Sequence, residues 1–166
     1  MEDNYIMLNG KMVPLTEEQI AALLGGKETA CAKVDPFERK IGEKYFFIGM
    51  NGYVRKWSDL DTSLDEIGYN TGNYCRDKEL MKQRAMHETL NRLLWRYSEQ
   101  HGGDSEWDGN NTHFYIVIDD KEEPKFSNSV YCRNVSVIYF RAMETAICAI
   151  EDVVKPFLAE HPEFVW

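Results

Sequence analysis

Residues 45–57 read YFFIGMNGYVRKW, and residues 114–120, FYIVIDD, follow the same pattern of an aromatic and β-branched run that meets a turn. Asn51-Gly52 ends the first run and is a pair typical of β-hairpin turns, and Asp119-Asp120 ends the second run. Behind each hairpin, three residue pairs recur at one offset of 65 residues: Tyr74/Tyr139, Arg76/Arg141 and Glu79/Glu144. Internal repetition of this kind predicts an architecture made of two copies of one unit.

Each copy leads into a helix-like run. In the first, Asp77 is the expected N-cap, and apolar residues recur at helical spacing: Met86, Leu90, Leu93, Leu94 and Tyr97. In the second, the helix is expected from about Ala142, with Pro156 ending or kinking it. The sequence therefore predicts an α+β fold of two β-β-β-α repeats, each an antiparallel meander with one helix across a face.

The predicted boundaries follow from these repeats. The first repeat spans 43–103 and the second spans 104–166, including an apolar tail, and the two are expected to form one compact domain. Residues 58–72 read as a polar loop inside the first repeat. Residues 1–26 predict a β-hairpin and a short helix, and residues 27–42 a linker.

The bulk composition limits the class of protein. The chain has 166 residues, a net charge of −9 and 43% hydrophobic residues, which indicates a folded domain rather than a disordered one. No apolar run is long enough to span a membrane, the first residues lack the cationic character of a signal peptide, and the four cysteines include no CxxC pair. We therefore expect reduced thiols and a cytoplasmic location.

Acidic residues gather in the second half. Residues 101–166 carry twelve Asp/Glu against five Lys/Arg. Residues 104–109, DSEWDG, place carboxylates at positions 1, 3 and 5 and glycine at position 6 of a calcium-loop pattern, but Tyr115 stands where the pattern needs a bidentate glutamate. A solvated acidic loop anchored by Trp107 is the favoured interpretation, and the calcium site is the alternative.

The second acidic cluster lies at the turn of the second hairpin. It could imitate a row of phosphates and enter the basic groove of a nucleic-acid-binding protein, or it could be an ordinary charged turn that discourages edge pairing. The expected partner-binding acids of both clusters are Asp104, Glu106, Asp108, Asp119, Asp120, Glu122 and Glu123, and the expected aromatic anchors are Trp107, Tyr131 and Trp166.

Cations gather instead on the helix of the first repeat. Residues 76–100 carry six Lys/Arg against four Asp/Glu. A basic helix can dock on nucleic acid, whereas the ordinary interpretation is a solvated face with intrahelical ion pairs. The candidate nucleic-acid-binding residues are Arg76, Lys82, Arg84, Arg92 and Arg96.

No catalytic motif is apparent. The four histidines, at positions 87, 101, 113 and 161, do not pair with cysteine at metal-ligand spacing, and no GxSxG, P-loop or HExxH pattern occurs. We therefore expect a protein without enzymatic activity, cofactor or metal.

A further pattern is carried by residues 36–48, by Asn51-Gly52 and by Gly72-Asn73-Tyr74, together with residues 8–19 and 138–146. On these residues the chain resembles a loose group of small proteins encoded by phages, prophages and mobile elements of gut Firmicutes. Members of that group usually carry Phe-x-Thr-x-Glu-Glu-Ala at the third strand and helix, where this chain has CRDKEL at 75–80.

The resemblance implies cargo of a mobile element, and such cargo is rich in inhibitors of bacterial defence, including anti-CRISPR proteins. The leading hypothesis is therefore a non-catalytic protein that binds a host defence protein in the cytoplasm, with its acidic surface in a basic nucleic-acid-binding groove. The alternatives are a DNA- or RNA-binding regulator that uses the basic helix and, more weakly, a structural component of a virion.

Overall fold

The structure, a computed structural model, describes residues 5–8, 11–14, 35–104, 107 and 110–166. The chain divides into two units, Met1–Asp35 and Pro36–Trp166. In the first, strands β1 (Tyr5–Leu8) and β2 (Lys11–Pro14) pair antiparallel, which confirms the predicted hairpin. The helix expected within residues 1–26 lies outside the described residues.

The second unit begins with an antiparallel hairpin of β3 (Lys44–Ile48) and β4 (Val54–Ser58). Residues 36–42, expected to be linker, belong to this unit: Arg39 forms an ion pair with Asp59, and the backbone N–H of Gly42 donates to the Asp59 carbonyl (2.7 Å). The hairpin thus starts from a fixed N-terminal segment.

A short helix, α1 (Ser63–Asn70), occupies part of the stretch predicted as a polar loop. Thr62 is its N-cap and forms a reciprocal capping box with Asp65. The usual distribution of polar and apolar side chains is reversed in this helix, because Asp65 is buried while Leu64 and Ile67 are exposed. The prediction of a loop was wrong here because a helix with apolar residues outside and a carboxylate inside lacks the usual amphipathic pattern.

The long helix α2 (Lys78–Gln100) begins at the predicted N-cap, where the Asp77 carboxylate accepts the N–H groups of Glu79 and Leu80. Its first turns supply Met81 and Ala85 to a core cluster with the first hairpin. Its later turns supply Leu90 and Leu94 to a larger cluster with residues 140–157, which belong to the second half of this unit (residues 104–166). One helix therefore joins two small cores.

The second half contains a three-stranded antiparallel sheet of β5 (His113–Ile118), β6 (Pro124–Ser129) and β7 (Tyr139–Phe140), in the order β6-β5-β7. A helical segment then runs from α3 (Met143–Ala149) through a π-helical turn (Ile150–Val154) to α4 (Lys155–Glu160). The α+β class is therefore confirmed.

Two details differ from the prediction. First, the third strand pairs with the first strand of its hairpin, so the sheet is not a meander. In the first half the corresponding contact is the bridge between Phe46 and Cys75, and in the second half Tyr139 pairs with Tyr115.

Second, of the two outcomes expected at Pro156, an end or a kink of the helix, the helix does not end there. The preceding turn widens so that the Lys155 N–H donates to the Ile150 carbonyl, five residues back, and α4 continues beyond the proline. A π-helical turn accommodates the missing N–H of proline without terminating the segment.

Candidate functional site

The acidic turn between β5 and β6, residues 119–123, presents three exposed carboxylates: Asp120, Glu122 and Glu123. The backbone is closed by the N–H of Asp119, which donates to the Glu123 carbonyl (3.0 Å), and by the N–H of Glu122, which donates to the Asp119 carbonyl (3.1 Å). Glu122 has a φ of 62°, which places it in the left-handed region. The three side chains thus project from a hydrogen-bonded turn.

Asp119 has a different role from its neighbours. Its carboxylate accepts the N–H groups of Lys121 and Glu123 (2.9 Å each) and forms an ion pair with Lys125. The bond to Lys125 is the main reason that the pKa of Asp119 lies below its usual value. Asp119 therefore stabilises the turn. The sequence had suggested instead that its carboxylate is free to bind a partner.

The loop before β5 is also more internal than predicted. The Asp104 side chain is 4% exposed, and His113 Nδ1 donates to Asp104 Oδ2 across 2.6 Å. The Trp107 ring stacks on the His113 ring at 3.7 Å and meets Tyr139 edge-on at 4.9 Å. Asp104 and Trp107 therefore serve the fold, whereas Glu106 and Asp108 lie outside the described residues.

The calcium alternative receives no support from the described part of the loop. Asp104 is occupied by His113, and Tyr115, at the position that requires a bidentate glutamate, lies within β5. Among the described residues, no group of three or more His, Cys, Asp or Glu side chains is placed to hold a metal ion.

Of the remaining predicted anchors, Tyr131 is 85% exposed. Trp166 is half exposed and meets Phe164 edge-on at 4.9 Å, and Phe164 lies 4.6 Å from the His87 ring. Gln83 fixes this segment by donating to the Glu163 carbonyl (2.7 Å) and accepting the Val165 N–H (3.0 Å). The apolar tail therefore packs on α2, and Tyr131 is the more available aromatic group.

Three of the five candidate cations are engaged within the protein. Arg76 forms ion pairs with Glu38 and Glu43, Lys82 with Glu79, and Arg84 with Glu88. Arg92 and Arg96 are exposed and make no ion pair with any described residue, and Trp95, between them, is 56% exposed. The cationic surface of α2 is thus smaller than the sequence suggested.

Sequence reasoning missed two fully buried carboxylates in the first half. Asp59 accepts two hydrogen bonds from Arg39 (2.8 and 3.0 Å), which lower its pKa. Asp65 loses solvation by burial, but hydrogen bonds from Thr62, Tyr45 and Leu60 outweigh that loss and lower its pKa to about 2. Both are ionised structural groups at neutral pH. The Thr62-x-x-Asp65 spacing of a capping box was the available sequence signal.

Each half has a buried carboxylate bound to a residue of the first strand of its hairpin. In the first, Asp65 accepts the hydroxyl of Tyr45 in β3, and in the second, Asp104 accepts His113 in β5. The Tyr74 hydroxyl accepts the N–H of Lys40 (3.2 Å), which precedes its hairpin, and the Tyr139 hydroxyl accepts that of Asn134 (2.8 Å), which follows its hairpin. Asp65 follows its hairpin whereas Asp104 precedes its own, so these contacts are not equivalent positions of the predicted repeat.

The described thiols differ in burial. Burial raises the pKa of the Cys75 thiol, which makes it a poor nucleophile at neutral pH. Cys132 and Cys148 are free and exposed.

The described helices include none with the length and apolar character of a membrane span.

No family model, curated protein or solved structure matches this chain.

Proposed function

We propose that the protein is a non-catalytic binding protein that docks the acidic turn 119–123 against a cationic surface of a partner protein. The observation that carries the proposal is the exposure of Asp120, Glu122 and Glu123 on a turn that Asp119 holds in place. A fixed turn loses little conformational freedom on binding, and its carboxylates raise the association rate with a positively charged surface.

The charge distribution supports the same surface. Residues 101–166 have a net charge of −7, and two of their five cations, Lys125 and Lys155, are occupied by ion pairs within the protein. Tyr131 adds an exposed aromatic group of the kind that is enriched at binding hot spots.

The partner class follows from the resemblance to mobile-element proteins. On that basis the partner is a bacterial defence protein with a basic nucleic-acid-binding groove, and the inhibitor acts in the cytoplasm of the host. Three neighbouring carboxylates suit such a groove because its cations are arranged for phosphates.

The test is a triple charge reversal, D120K/E122K/E123K, that leaves Asp119 intact. The wild type and the variant are immobilised, exposed to a Firmicutes lysate, and washed at increasing salt. A partner that fits the proposal is a basic protein that the variant fails to retain, that salt releases, and that a nucleic-acid duplex displaces.

The matched control is E66K/E99K/E160K, which makes the same change in net charge at exposed acids of three helices. It should retain the partner. Equal retention of the partner by the wild type and D120K/E122K/E123K would refute docking through the turn. Equal loss of the partner from both variants would show that net charge, and not the position of the carboxylates, controls binding.

A second candidate function is nucleic-acid binding by α2. The observation that favours it is the exposure of Trp95 between Arg92 and Arg96, since an aromatic ring and arginines can stack on bases and contact phosphates. A mobility shift at low salt that R92A/R96A abolishes would support this function, and the absence of any shift with the wild type would exclude it.

A further inference from the structure

A groove of about 470 Å³ lies away from the acidic turn, between the first hairpin, α2 and α4. Its size falls within the range of small-molecule sites, roughly 300–1,000 Å³. The residues that line it come from the turn and start of β4, from the first three turns of α2, and from α4 and the segment that follows it. Three separately supported elements therefore form its walls.

The groove has an apolar interior. Val54, Ala85 and Met86 contribute from the hairpin and α2, and Phe157, 4% exposed, contributes from α4. Methionine adapts readily to ligands of irregular shape. Tyr53 also lines the groove and is 73% exposed, which leaves its ring free to cover an occupant. This lining suits a planar or branched hydrocarbon body.

The polar groups of the groove indicate the charge of a ligand that would fit it. Lys78 and Lys82 both line it, against one carboxylate, that of Glu163. Lys82 contacts Glu79 at 2.9 Å in an exposed ion pair, which contributes little and can give way to an anionic ligand. Lys78 has no ion pair with a described residue. The His161 ring lies 4.5 Å from the Phe157 ring and adds a hydrogen-bonding group to the same wall. In a chain of net charge −9, two lysines beside an apolar groove are complementary to an anionic head group.

We propose that this groove binds a small amphipathic anion whose apolar body contacts Met86 and Phe157 and whose carboxylate or phosphate head contacts Lys78 and Lys82. The site is separate from the acidic turn, so the proposal does not depend on the function inferred for that turn.

The experiment compares three probes with one body: 1-naphthylacetate, 1-naphthyl phosphate and the neutral 1-naphthylacetamide. Binding to the full chain is followed by amide chemical shifts and calorimetry. We expect saturable shifts at Val54, Ala85 and Met86 with both acids, and affinity roughly fivefold lower for the amide because it lacks the charge. The ratio of the two acids identifies the preferred head group.

Substitutions then test the lysines. K78Q/K82Q changes two surface side chains and should lower the affinity for the acids to that for the amide, whereas K44Q/K121Q, at lysines outside the groove, should leave it unchanged. D120K/E122K/E123K should also bind the acids normally. The proposal is overturned if no probe saturates, if the amide binds as tightly as the acids, or if both lysine pairs have the same effect.

Discussion

Replacing Asp65 by asparagine should destabilise the second unit more than any change at a surface carboxylate. The Asp65 side chain is completely buried. It accepts the hydroxyl of Tyr45 (2.8 Å), the N–H groups of Leu60 (3.1 Å) and Thr62 (3.0 Å), and the Thr62 hydroxyl (2.7 Å). An asparagine keeps the shape, but its NH₂ group must replace one of the two accepting oxygens.

The magnitude follows from those four bonds. A hydrogen bond to a charged group contributes about 1.5–3 kcal/mol and a neutral one about 0.5–1.5 kcal/mol. The tyrosine hydroxyl can reverse its role and accept from the asparagine, so the main loss is the charge assistance at the remaining donors. We expect D65N to cost about 2–3 kcal/mol in free energy of unfolding, and Y45F, which removes one bond, about 1–2 kcal/mol.

The same hydrogen bonds make the stability depend on pH through the pKa of Asp65. The pKa of Asp65 falls from 3.8 to about 2 on folding. A shift of that size corresponds to roughly 2 kcal/mol of stability at neutral pH, since each pKa unit is worth about 1.4 kcal/mol. Because the folded pKa is depressed, this contribution is complete above the unfolded pKa and is lost as the pH falls through 3.8 toward the folded value.

The assay is urea denaturation followed by far-ultraviolet circular dichroism, for the wild type, D65N and Y45F at several pH values. The neighbouring exposed acid supplies the control, E66Q, which should stay within about 0.5 kcal/mol of the wild type. The difference between wild type and D65N should shrink by more than half between neutral pH and about pH 2.5. A D65N variant as stable as E66Q, or a difference that does not change with pH, would refute this account of the buried carboxylate.

Three further predictions concern other parts of the structure. W107A should lower the free energy of unfolding by about 2 kcal/mol in urea denaturation, because it removes the ring stacked on His113; a loss no larger than that of an exposed substitution would contradict this. R39Q should lower the thermal midpoint at neutral pH by leaving the buried Asp59 carboxylate without its cation, and the deficit should narrow in acid as Asp59 becomes protonated; a deficit independent of pH would argue against the ion pair. D119A, which removes the oxygen that accepts both N–H groups, should speed amide hydrogen exchange in residues 119–125 while far-ultraviolet dichroism stays unchanged; unchanged exchange would show that the carboxylate does not hold the turn.

The hairpins and the long helix could be predicted because their signals are local. Asn51-Gly52 and the alternating run before it specify β3 and β4, and Asp77 specifies the start of α2. These signals depend only on residues that are close in the sequence, so contacts with the rest of the protein do not change them.

The contacts across the chain could not be predicted in the same way. The third strand of each half is short, and a run such as Tyr139–Phe140 does not reveal whether it pairs with the first or the second strand. The helix α1 was missed because its apolar residues face solvent, and a sequence pattern assumes that they face the core.

The candidate site was predicted only in part, for the same physical reason. Sequence identifies a carboxylate but not its partners, so Asp119, which holds a turn, and Asp120, which faces solvent, look alike. Asp104 was assigned to the surface although His113, nine residues away, covers it. Arg76, Lys82 and Arg84 were assigned to a binding face although carboxylates of the protein already occupy them.

The claim that the acidic turn docks on a cationic partner is tested most directly by the salt dependence of affinity for a purified partner. The dissociation constants of the wild type, D120K/E122K/E123K and E66K/E99K/E160K are measured by calorimetry across a series of salt concentrations. We predict a dissociation constant that rises steeply with salt for the wild type and the control variant, and binding too weak to measure for the turn variant. Equal affinities for wild type and turn variant at every salt concentration would contradict the account.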